Sequence, residues 1–184
     1  MLLKSLFIVI EGVDGSGKTS VGKILAERLR AVYYKTPSGL WQKYRRIVEN
    51  KNPLLRFTYY LFATICSSFE ISGILKKKSV VCDRYIYSTW CHHFVYGCRF
   101  LKLMPVHSFP VKKPDLIFYL SVSDNERERR ISMRKGNTEK DKDSLTLMEI
   151  QKNFSKISNM KKIDTTNCKV SEVVEKIYSE VLNY

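Results

Sequence analysis

Short unbroken apolar runs alternate along the chain with longer segments whose apolar positions recur every three or four residues. The runs at residues 6–10, 79–84 and 115–122 are strand-sized and read as fully buried strands. Residues 31–36 are rich in β-formers and end at Pro37, which predicts a second strand followed by a turn at Pro37-Ser38-Gly39. Residues 160–164 read as a last short strand. Val21, Ile24, Leu25 and Leu29 fall at helical spacing after the first run, and residues 41–49 look helical before Asn50-Lys51-Asn52-Pro53 breaks them. Residues 54–75 are apolar almost throughout and predict one long, mostly buried helix. Further helices are expected at 85–96, stopped by Gly97, at 145–157 and at 170–182. Residues 98–114 hold three of the five prolines and read as an irregular connection. Strands alternating with helices argue an α/β domain with a parallel sheet covered on both faces.

The first run leads into Gly12-Val13-Asp14-Gly15-Ser16-Gly17-Lys18-Thr19-Ser20, which fits the phosphate-binding pattern G-x-x-x-x-G-K-[ST]. Glycine tolerates backbone angles that a side chain forbids, so successive amides can turn inward around phosphate oxygens. Lys18 supplies a cation for the β- and γ-phosphates, Thr19 a hydroxyl for Mg²⁺, and the helix N-terminus further positive potential. At ordinary residue usage the four fixed positions coincide by chance in roughly one chain of this length per hundred. The strand before the loop and the helix after it lower that further.

With 184 residues, 44% of them hydrophobic, and no linker or low-complexity tract, residues 1–184 are expected to form one domain. No run is long enough to span a membrane and no signal-peptide pattern opens the chain, which predicts a cytoplasmic protein. Five scattered cysteines without C-x-x-C spacing are expected to be reduced. A net charge of +14 calls for a phosphate-rich partner or reflects compositional habit, so nucleic acid is a rival ligand, although the basic residues are spread along the chain. Asp83 and Arg84 end an apolar strand, and ligand crevices lie at the carboxyl ends of parallel strands, so both should stand near the loop. The charged stretch at 125–143 reads as a solvated helix and loop or as a lid.

The loop, the Asp83-Arg84-Tyr85 triplet, the charged stretch and the order of elements together resemble the thymidylate kinase family of P-loop nucleoside monophosphate kinases, over nearly the whole chain. The resemblance implies a three-layer P-loop NTPase fold with a five-stranded parallel sheet, ATP and Mg²⁺ as cofactors, and a homodimer formed through the long helices. It further implies that residues 12–20 cradle the donor phosphates and that Thr19 and Asp83 serve the metal, with Asp83 alternatively a general base. Arg84 would grip the acceptor phosphate, Asp14 would accept from the acceptor sugar, and Phe62 would stack on the acceptor base. Arg130 or Arg134 would bring charge from the lid, and the loop at Thr166 would face the donor adenine.

Lys35, Pro37, Ser88 and His92 fall at acceptor-side positions, but the chain departs from the family there. Lys35-Thr36-Pro37 lacks the family's carboxylate, Cys66 stands where an arginine reads the base, and His92-His93 replaces a Tyr-Gln pair. A thiol cannot replace a charge-assisted donor. Phosphorylation of dTMP is the leading expectation. A nucleoside kinase acting on a 5′-hydroxyl and a basic module that binds or phosphorylates nucleic acid are the alternatives.

Overall fold

The computed structural model describes residues 5–133 and 144–184. Five strands, β1 (Phe7–Gly12), β2 (Val32–Lys35), β3 (Val80–Asp83), β4 (Leu116–Ser121) and β5 (Lys161–Asp164), form a sheet in the order β2-β3-β1-β4-β5. Every pairing is parallel. All residues of β1, β3 and β4 are buried, as strands covered on both faces must be, and this is why they read as unbroken apolar runs rather than alternations.

Strand alternation divides the core in two. Phe7, Val9, Cys82, Ile117 and Tyr119 point to one face. There they meet α3 (Pro53–Ile74), α4 (Ile86–Val95) and α6 (Ser144–Ser155). Ile8, Ile10, Val81, Phe118 and Leu120 point to the other, against α1 (Lys18–Arg28) and α7 (Val170–Leu182). The remaining helices are α2 (Gly39–Glu49) and α5 (Asp124–Ser132), and short 3₁₀ turns at Arg99–Leu103 and Val106–Ser108 occupy the proline-rich connection.

One expectation changes. The long helix α3 is not mostly buried: it packs through Phe57, Ala63, Thr64, Ser67, Ser68 and Ile71, whereas Leu54, Leu55, Phe62 and Phe69 are exposed. Of the proposed lid, residues 125–132 lie in α5, and 134–143, with Arg134, lie outside the described residues. β1 lies between β3 and β4; the connection from β1 runs through α1 past β3 to β2, whereas the connection from β4 runs the opposite way to β5, so the crevice of this sheet opens at the carboxyl ends of β1 and β4.

Candidate active site

The loop after β1 owes its path to two glycines. Gly12 has φ +150°, and a Cβ there would lie 2.5 Å from the Leu120 carbonyl oxygen; Gly17, with φ +95°, caps the N-terminus of α1. Lys18 is only 6% exposed and folds back so that Nζ donates to the Val13 carbonyl at 2.7 Å. Burial, and then the nearby Arg84 guanidinium, pull its ammonium down to about 7.

Asp83 reaches the loop because β3 neighbours β1, with Ile10 opposite Asp83 in register. Its Oδ2 accepts from Thr19 Oγ1 at 2.6 Å and from the Tyr33 hydroxyl at 2.9 Å. Oδ1 is buried and has no hydrogen-bond partner among the described residues. An orphaned carboxylate oxygen beside the threonine hydroxyl of a phosphate loop suits a hard divalent cation, so the residues present fit Mg²⁺.

Arg84 follows at φ +70°, a left-handed conformation that costs a non-glycine residue about 1–3 kcal/mol. Three contacts hold it: its amide donates to Ile10 O at 3.0 Å, Thr36 Oγ1 donates to its carbonyl at 2.8 Å, and the Cys82 thiol donates to the same oxygen at 3.0 Å. The turn aims the guanidinium back at the loop, where it pairs with the Asp14 carboxylate and donates to Ser88 Oγ at 3.1 Å and Gly12 O at 3.3 Å. Beneath lies Glu11, fully buried in β1. Its carboxylate accepts from the Tyr85 and Ser88 amides at 2.8 and 3.1 Å and from the Ser88 hydroxyl, capping the start of α4. Burial pushes its carboxyl up to about 7.

Two connected hollows result. A small one of about 90 Å³ is lined by Asp14, Lys18, Thr19, Lys35, Asp83 and Arg84, among others. A larger one of about 670 Å³ opens from it between α2, α3 and α4; Lys35, Pro37, Arg84, Ser88 and His92 line it, as do Tyr60 and Thr64 of α3. His92 Nδ1 lies 2.8 Å from Ser88 O.

Phe62 and Cys66 do not line either hollow, and Phe62 is 56% exposed. Two residues of helix rotate a side chain by about 200°, so the face that meets the cavity is the one carrying Tyr60 and Thr64, on the far side from Phe62 and Cys66. Arg130 stands over the loop, but on the donor side. Its nitrogens donate to Thr165 O at 2.6 Å, Thr166 O at 3.4 Å and Gly15 O at 3.4 Å, with Nε on Glu126 at 2.7 Å. Thr166 is thereby tied to the loop, its own hydroxyl bonding Asp164 at 2.6 Å. Ser20 is exposed on α1 behind the phosphate loop.

The sequence alone assigned no site role to Glu11, Tyr33, Tyr60 or Arg127, which the structure places at or beside the hollows. A carboxylate inside the run Phe7–Gly12 was a usable signal, because an acid within a buried strand must have buried donors.

Comparison with known proteins adds to this geometry. A family model described as thymidylate kinase matches residues 10–177. The chain belongs to the thymidylate kinase family. Membership makes it a phosphotransferase with ATP as phosphate donor, and the family's activity is the phosphorylation of dTMP. A probable thymidylate kinase of Methanocaldococcus jannaschii is 31% identical over 100% of this chain and 97% of that protein. One from Methanococcus aeolicus is 30% identical over 96% and 93%. Among solved structures, thymidylate kinase from Candida albicans superposes with a TM-score of 0.83 at 18% identity, over 98% of this chain and 92% of that one. Thymidylate kinase from Ehrlichia chaffeensis gives 0.70 at 21%, over 96% and 98%. At those identities the likeness shows the shared fold, and the five-stranded parallel P-loop architecture expected from sequence is the one found. No helix among the described residues is long and apolar enough to cross a membrane.

Proposed function

We propose that this chain transfers the γ-phosphoryl group of ATP to the 5′-phosphate of dTMP, giving ADP and dTDP, with Mg²⁺ held by Thr19 and Asp83. A non-bridging oxygen of the acceptor phosphate bonds to the γ-phosphorus as the bond to the β–γ bridging oxygen breaks, and that oxygen leaves on ADP. The observation that carries the reading is the shared small hollow: Lys18, from the donor loop, and Arg84, from the neighbouring strand, line the same 90 Å³ space. Phosphoryl transfer needs positioning and charge neutralisation more than covalent chemistry. Lys18 supplies charge at the β- and γ-phosphates, the loop amides hold them, and Arg84 holds the acceptor phosphate. Asp14, already paired with Arg84, both orients that guanidinium and offers an acceptor to the sugar. The bound cation would neutralise charge between donor phosphates.

A coupled ADP-release assay over a panel of nucleosides and their monophosphates tests this. Stimulation by dTMP above the other monophosphates is expected, and no stimulation by any monophosphate would reject it. A nucleoside outperforming its monophosphate would favour the nucleoside-kinase alternative, and a salt-dependent gel shift with weak turnover of free nucleotides the nucleic-acid one.

We further propose that the protein works as a cytoplasmic homodimer. Leu55, Phe62 and Phe69 of α3 are 53%, 56% and 75% exposed and recur every seven residues, forming an apolar stripe.

A further inference from the structure

Arg127 occupies an unusual place. Carried on the first turn of α5, it is 5% exposed, and its Nε is buried with no hydrogen-bond partner among the described residues. Its one ion pair among them is Glu128 at 3.7 Å, whose side chain is 64% exposed and so well solvated. Arginine cannot shed its proton to relieve burial, so a guanidinium held this way is poised for an anion that the structure does not supply. Its stem lies against the phosphate loop: a Cβ on Gly15 would come within 2.8 Å of Arg127 Cγ, so this packing requires a bare glycine at position 15.

Where the guanidinium opens decides which anion. Arg127 lines the large cavity together with Asp14, Arg84 and Ser88, and is not among the residues of the small hollow with Lys18, Thr19 and Asp83. Resting on the kinase reading above, we infer that Arg127 is a second acceptor-phosphate ligand, donating alongside Arg84 to a non-bridging oxygen of the nucleoside monophosphate. Arg130, three residues on, is occupied with Thr165, Thr166 and Glu126, which leaves Arg127 as the α5 arginine that faces the acceptor.

The test compares dTMP with thymidine, which lacks only the phosphate, in Arg127→Gln. KM for dTMP should rise about 10- to 100-fold, while thymidine, assayed as a competitive inhibitor, and ATP should bind within twofold of the parent enzyme. Arg127→Lys keeps the stem and charge without the planar fork and should recover part of the loss; if the glutamine variant fails to fold, the lysine variant carries the same comparison. An unchanged KM for dTMP would overturn the inference, as would parallel weakening of dTMP and thymidine, the mark of a role in packing alone. Failure of the unsubstituted enzyme to use any monophosphate would instead remove the kinase reading, and this inference with it.

Discussion

Lys18 presents a pH signature that a solvated lysine lacks. In the free protein its ammonium is pulled down to about 7 from the usual 10.5, so between these values the folded protein holds fewer protons there than the unfolded chain. The charge penalises folding fully below about 7, and the penalty fades as pH rises toward 10.5. Donor phosphates restore the proton. ATP binding at about pH 8.5 should therefore take up close to one proton, and below about pH 6 almost none; calorimetry in buffers of different ionisation enthalpy reads this directly. Tyr33 offers a second residue-scale prediction. Tyr33→Phe removes one of two donors to Asp83 Oδ2 at a cost of about 1 kcal/mol, and should weaken Mn²⁺ binding to the ATP-loaded enzyme several-fold, as measured by paramagnetic resonance. At this scale the loop was legible, since its glycines and Lys18 answer to local stereochemistry. The face of α3 was not: an aromatic on an apolar helix offers no sign of which face meets a cavity, and Tyr60 rather than Phe62 lines the large one.

Helix α4 starts on a buried carboxylate rather than on a polar cap of its own; Tyr85 at the N-cap makes no side-chain cap bond. Glu11→Ala would leave the Tyr85 and Ser88 amides without their acceptor, at a cost of roughly 2–3 kcal/mol, or about 5–10 °C in Tm. Because burial raises the Glu11 carboxyl to about 7 from an unfolded 4.5, the folded state binds more protons in that window. Its contribution is therefore present below pH 4.5 and is lost as pH rises through 7, and Glu11→Gln should flatten that slope in denaturant titrations. Most elements were readable because periodicity and breakers mark them; residues 170–182 coincide with α7 (Val170–Leu182). Helix α3 shows the limit. Apolar on nearly all sides, it announces burial everywhere, while only tertiary packing reveals the stripe of Leu55, Phe62 and Phe69 left outside.

That stripe is a prediction for the whole molecule. Phe62→Asp together with Phe69→Asp should convert a dimer into a folded monomer in sedimentation experiments without lowering Tm by more than a few degrees, since neither ring is buried in the single chain. A monomeric parent protein would sink the homodimer. Sheet order also belongs to this scale. Alternating strands and helices dictated a parallel sheet, and the glycine spacing after β1 dictated a turn into the N-terminus of α1, because both follow from rules acting within a few residues. Which strand lies beside β1, and hence that Asp83 and Arg84 stand against Lys18 and Thr19, was an expectation that pairing between distant segments had to fulfil. The chain by itself thus determined the elements, the donor loop and the family. Tertiary structure alone decided the face α3 shows to the large cavity, which amides meet Glu11, and the meeting of Arg127 with Gly15, because each depends on how helices rotate and dock, and no local pattern encodes that.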